Sequence, residues 1–182
     1  LFGICGGYQM LGRKVRDPLH TESEHDEIAG FGYLPSETTF AAHKRLRQVT
    51  AQCEDFPFLG ERLAGHDLPG YEIHMGETVF TEEVHRPFRI VAAGGAPADA
   101  VDGAISVDGL VAGTYIHGIF DDDELRRSII NRLRTRRGLA PLPVQYRYRA
   151  EKERAYDRLA ETVRKSLDME KLRAIVGTGA DA

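Results

Sequence analysis

A cysteine set among glycines opens the chain, in Leu1-Phe2-Gly3-Ile4-Cys5-Gly6-Gly7-Tyr8-Gln9-Met10-Leu11-Gly12. A short apolar run ends at Ile4, and a helix-like segment follows the glycines. That order reads as strand, sharp turn and helix, with the sulfur at the turn. It is the cysteine counterpart of the strained elbow that holds a hydrolase serine. Gly3, Gly6 and Gly7 permit unusual φ values and close backbone approach. A helix starting at the turn aims free N–H groups and the positive end of its dipole at Cys5, which favours the nucleophilic thiolate. The N–H of Gly6 is placed to donate to an oxyanion formed on attack. The plain alternative is a buried core cysteine beside a tight turn. Three flanking glycines at a strand end weigh towards chemistry.

A cysteine nucleophile needs a base. His117 ends the apolar run Leu110-Val111-Ala112-Gly113-Thr114-Tyr115-Ile116 and is followed by Gly118. A strand end is a good place for an accessible imidazole; position alone leaves a base and a satisfied core histidine both open. The second cysteine, Cys53, lies in the alternating stretch 46–53 with Val49 and Ala51 on its face, and reads as core. Glu72 and His74 alternate with Tyr71, Ile73 and Met75 in a second strand, 70–80, and read as structural or pocket-lining. A base-off cobalamin motif, Asp-x-His-x-x-Gly, is not met, because positions 72 and 77 are both Glu. The four acids at 121–124 are explained by a helix start, with Asp121 as N-cap. The acidic stretch 13–30, with His20 and His25, has no tight ligand spacing and reads as a surface loop, so no metal site is assigned.

The remaining elements follow from pattern. Residues 54–69 carry Pro57, Gly60, Gly65 and Pro69 and read as a loop. Phe88 to Ala93 is a strand broken at Gly94-Gly95, and Asp102-Gly103 and Asp108-Gly109 bracket a hairpin. Leu125, Ile129 and Leu133 give the next helix its apolar face, with Gly138 as its stop. Pro141 and Pro143 make a rigid connector. A polar amphipathic helix runs from about Tyr148 to Leu167, and Asp168 caps a last one ending near Val176. No repeat and no second domain are evident over 1–182.

Composition bounds the partners. The chain has 182 residues, 24 basic and 28 acidic side chains and a net charge of −4, which gives no reason to expect nucleic acid or an anionic membrane surface. No apolar run is long enough to span a bilayer, and no signal peptide is expected. Two cysteines make no disulfide framework, so a reducing cytoplasmic setting fits best. The first residue is Leu, inside what reads as a buried strand, so a fragment of a longer protein is expected.

Gly3-Ile4-Cys5-Gly6-Gly7-Tyr8-Gln9 resembles the G-x-C-x-G-x-Q elbow of class I glutamine amidotransferases. The blocks Gly70-Tyr71-Glu72-Ile73-His74-Met75-Gly76 and Gly113-Thr114-Tyr115-Ile116-His117-Gly118-Ile119-Phe120 narrow the resemblance to the C-terminal half of the cobyric acid synthase family. The resemblance implies a three-layer, flavodoxin-like α/β domain, here without its first strands. It implies glutamine hydrolysis by Cys5 and His117, an oxyanion donor at Gly6, and Gln9 helping to hold the glutamine. The ammonia would serve ATP-dependent amidation of carboxylates of adenosylcobyrinic acid a,c-diamide. ATP, Mg²⁺ and the corrinoid would belong to an upstream synthetase half, with no cofactor in this chain. Most triad amidotransferases place a Glu two residues after the His; here that position is Ile119. The site then runs as a dyad, or another group orients the imidazole. The rival readings are a cobyrinic acid a,c-diamide synthase, a cell-wall glutamate amidotransferase, a stand-alone cysteine hydrolase and a non-catalytic binding module. A second oxyanion donor is expected before Leu1. Losing one donor typically costs about 10²–10³ in turnover, so the chain alone is expected to be a poor glutaminase.

Overall fold

The computed structural model describes residues 1–53, 56–60 and 67–177. They are mixed α/β, as expected, and divide into two compact units, Leu1–Pro143 and Val144–Ala182.

In the first unit, strand β1 (Phe2–Ile4) runs directly into helix α1 (Gly6–Leu11). The stretch read as a surface loop contains two short strands, β2 (Lys14–Arg16) and β3 (Glu27–Ala29), which pair antiparallel. Three-residue strands are too short for a period to register, and charge holds this pair. Glu27 bridges Lys14 and Arg16 at 2.8 Å each, and Arg16 also reaches Glu37 at 2.7 Å. Between them the chain wraps around Asp17. Its carboxylate accepts from Thr21 N–H and Oγ1, Glu22 N–H and Ser23 N–H at 2.8–2.9 Å.

The main sheet is built on two long strands, β4 (Ser36–Cys53) and β5 (Asp67–Phe80). Both are longer than their alternation indicates, and residues 67–69, read as loop, belong to β5. The rest of that expected loop at 54, 55 and 61–66 lies outside the described residues. The β4/β5 register shifts between Thr39 and Lys44. Gly76 sits opposite the shift at φ 87, where a Cβ would lie 2.6 Å from the Thr39 carbonyl oxygen. Only glycine fits there. β6 (Phe88–Ala93) pairs with β4 and with β7 (Ala96–Asp102). Val49, Ala51 and Cys53 point inward with Phe56, Phe88 and Ile90 as a continuous core, and Cys53 is a core residue as its alternation indicates.

The apolar run 110–116, expected as one strand, is two. β9 (Ala112–Thr114) lies between β1, in parallel, and β8 (Ala104–Ile105) in a small second sheet. After Tyr115 the chain crosses to the main sheet as β10 (Ile116–His117), antiparallel to β5. Buried Asp102 holds the crossing, accepting from the Tyr115 N–H at 3.0 Å and from the Thr114 hydroxyl. Burial pushes the Asp102 carboxyl up, although the hydroxyl and amide donors oppose this.

A 3₁₀ turn, Ile119–Asp121, precedes helix α2 (Asp123–Arg136). That turn moves the N-cap from Asp121 to Asp122, whose carboxylate accepts from the Leu125 N–H at 2.7 Å. Leu125 and Ile129 are buried, while Leu133 is exposed. In the second unit, α3 (Tyr148–Ser166) and α4 (Met169–Val176) match expectation, with Asp168 capping α4 through the Lys171 N–H at 3.0 Å. Glu161 and Lys165 pair at 3.2 Å one turn apart. No residue of either helix is buried.

Candidate active site at the seam of two sheets

Cys5 is the N-cap of α1 and adopts φ 54, ψ −116. This is a rare backbone for a non-glycine residue and costs about 1–3 kcal/mol. The expected division of labour among the glycines is therefore altered. Gly3, Gly6 and Gly7 are absent from the residues of positive φ, and the cysteine itself carries the strain. Gly3 allows close approach instead: a Cβ there would lie 2.7 Å from the Gly7 carbonyl oxygen and from Leu11. At Gly6 and Gly7 nothing lies within 4 Å of an added Cβ, so both positions face open space. The amides of this first turn have no acceptor within the helix, which leaves the Gly6 N–H available to a ligand oxygen.

The elbow is fixed at both ends. The Cys5 N–H donates to the Thr114 carbonyl, and the Cys5 carbonyl accepts from the Gln9 N–H, each at 3.0 Å. The side chains of α1 cap the edge of β5 beyond the point where β10 stops pairing. The Cys5 thiol donates to the Ile73 carbonyl at 3.2 Å, and Gln9 Nε2 donates to the Met75 carbonyl at 3.0 Å. Gln9 Nε2 also reaches the Tyr115 hydroxyl at 3.2 Å. Gln9 is thus buried and engaged by protein groups through its amide nitrogen.

His117 arrives beside this edge through the sheet crossing. β9 pairs with the strand that carries Cys5, and two residues later β10 pairs with the strand that receives its thiol proton. The register sets His117 opposite Tyr71, two residues before Ile73. Two residues of strand span about 7 Å. No hydrogen bond joins Cys5 to His117; the imidazole Nε2 is buried with no partner. The ring instead lies flat on Tyr71, with centroids 4.9 Å apart and planes 12° apart. Ile119, where the wider class has its acid, is buried in the core.

Glu72 and His74 point to the opposite face of β5. They line a cavity of about 260 Å³ together with Tyr8, Arg47, Arg86 and Asp102. Burial would push the Glu72 carboxyl up, but the His74 ring and the Arg47 guanidinium outweigh it and hold the carboxyl below the usual range. His74 Nε2 lies 3.9 Å from Glu72, and its ring stacks on Tyr115 at 3.8 Å between centroids. Burial pushes the Tyr8 phenol up, and its hydroxyl is buried with no partner. The pocket-lining reading of Glu72 and His74 holds.

Sequence reasoning did not single out Tyr71, the Ile73 carbonyl or Asp102. A backbone carbonyl leaves no trace in residue type. Tyr71 would have been found only by knowing the β5/β10 register, which depends on the unforeseen crossing at Tyr115.

Residues 1–125 match the model of the CobB/CobQ-like glutamine amidotransferase domain. A cobyric acid synthase of Streptococcus sanguinis is 44% identical over 178 residues, covering 97% of this chain and 34% of that protein. One from Dehalococcoides mccartyi is 42% identical over 180 residues, covering 98% of this chain and 35% of that protein. The chain therefore spans about a third of the length of the curated relatives it matches. Among solved structures, that of PurLQS from Thermotoga maritima aligns over 68% of this chain and 53% of that one, with a TM-score of 0.45 and 17% identity.

Proposed function

The chain belongs to the CobB/CobQ-like glutamine amidotransferase domain family, and on that premise we propose that it is the glutamine-hydrolysing part of a cobyric acid synthase. The observation that carries the reading is the strained Cys5 elbow beneath open space at Gly6, with the His117 imidazole delivered to the same strand edge.

The reaction begins when the Cys5 thiol leaves the Ile73 carbonyl and gives its proton to His117. The sulfur attacks the side-chain carboxamide carbon of glutamine, and the carbonyl π electrons move to oxygen, which the Gly6 N–H receives. The tetrahedral intermediate collapses, the C–N bond breaks, and His117 returns its proton to the leaving nitrogen, releasing ammonia. Water then adds to the γ-glutamyl thioester with His117 as base, and the thiol is restored as glutamate departs. Gln9 contributes by fixing α1 to β5, which keeps the elbow in register with the substrate.

Ammonia passes to an ATP- and Mg²⁺-dependent amidation of corrinoid carboxylates elsewhere in the longer polypeptide. Among the described residues no group of three or more His, Cys, Asp or Glu is arranged for a metal, and no step here is routed through one. The curated relatives favour this reading over a cell-wall amidotransferase or a stand-alone hydrolase.

The test is Cys5→Ala in the full-length polypeptide. Glutamine-dependent amidation is expected to be lost and ammonia-dependent amidation kept. Wild-type use of glutamine by the variant would overturn the assignment.

A further inference from the structure

Among the described residues no carboxylate orients the imidazole of His117. Among the described residues no acid bonds either ring nitrogen, Nε2 is buried without a partner, and the position two residues on is an apolar core side chain. A base with a free ring would lose effectiveness, because proton transfer from a thiol needs one nitrogen held in line with the sulfur. Something else must fix the ring.

We propose that Tyr71 is the positioning residue for His117, holding the imidazole by face-to-face stacking where the wider class uses an acid. This rests on the Cys5–His117 reading above. The backbone dictates the contact: Tyr71 and His117 are directly opposed in an antiparallel pair, so their side chains leave the sheet on the same face. The rings meet at 4.9 Å with 12° between planes, an offset stack. Stacking constrains the ring plane while leaving both nitrogens free at the ring edge, as a shuttle that must take and return a proton requires. The aromatic face also offers favourable electrostatics to the imidazolium present while the proton is held. The Asp121 carboxylate lies 3.9 Å from where a Gly118 Cβ would be and makes no hydrogen bond to the ring. Tyr71 is itself 44% exposed, so its ring is not a core filler.

The experiment compares four variants of the full-length polypeptide in glutamine hydrolysis: Cys5→Ala, His117→Asn, Tyr71→Leu and Tyr71→Phe. Tyr71→Leu is expected to lower kcat about tenfold or more while KM moves less than about threefold, and Tyr71→Phe is expected to restore kcat. In wild-type protein the His117 ring-proton resonances, assigned with His117→Asn, are expected upfield of unstacked histidine, and this reading needs no Tyr71 variant to fold. Near-wild-type kcat in Tyr71→Leu, or resonances at unstacked positions, would overturn the stacking role. Failure of Tyr71→Phe to rescue would also overturn it, by assigning the effect to the hydroxyl. Activity surviving in Cys5→Ala would instead overturn the underlying reading of the site.

Discussion

Cys5 stores strain in its own backbone rather than delegating it to the glycines around it. At φ 54, ψ −116 a side chain is disfavoured and a glycine is not. The strain persists because the Thr114 carbonyl and the Gln9 N–H grip the residue from either side. Cys5→Gly is therefore expected to be more stable than Cys5→Ala by about 1 kcal/mol, although glycine normally costs stability through the unfolded chain. Urea denaturation of the two variants checks this, and a less stable glycine variant would mean that the elbow is relaxed. The placement of Cys5 at a strand-to-helix turn and of His117 at a strand end was legible in the sequence, because flanking glycines and apolar runs are local signals. The bond from Cys5 to Ile73 was not, because its acceptor is a backbone atom far along the chain.

At the scale of elements, long strands with regular alternation and helices with acidic starts and glycine stops were readable. Three features were not. β2 and β3 hold too few residues to display a period. The run 110–116 has uniform apolar content, and nothing in it marks Tyr115 as the point where the strand changes sheet; the anchor is Asp102, distant in sequence. β7, rich in alanine and acids, lacks the β-branched content of an obvious strand. The loop between β2 and β3 has an acid-sensitive anchor. Burial would push the Asp17 carboxyl up, but four hydrogen bonds from residues 21–23 hold it down to about 2 from an ordinary 3.8. A depressed folded-state value means the loop's stabilisation is complete above the ordinary value and is lost as pH falls through the folded one. Residues 17–26 are therefore expected to gain protease sensitivity between about pH 4 and pH 2. Asp17→Asn should show that sensitivity already at neutral pH. Limited proteolysis with an acid-active protease at low pH and a neutral protease for the variant measures both, and an Asp17→Asn loop as resistant as wild type would contradict the anchor.

At the scale of the whole molecule, the elbow, the crossing strand and both core clusters lie within Leu1–Pro143, whereas α3 and α4 bury none of their residues. Ending the chain after Pro143 is thus expected to leave Cys5 labelling by a diazoketone glutamine analogue within about twofold of the parent rate. A collapse of labelling would show that the elbow depends on the second unit. Asn131, which exchanges two hydrogen bonds with the Leu142 backbone, already secures the connector before that point.

The resting position of the sulfur has a bearing on survival as well as turnover. Peroxide and other oxidants attack thiolates, not thiols. The Cys5 thiol donates to the Ile73 carbonyl, so an oxidant that reaches the sulfur must compete with that contact. Oxidant access to Cys5 is thus tied to the same contact that holds its thiol at the edge of β5.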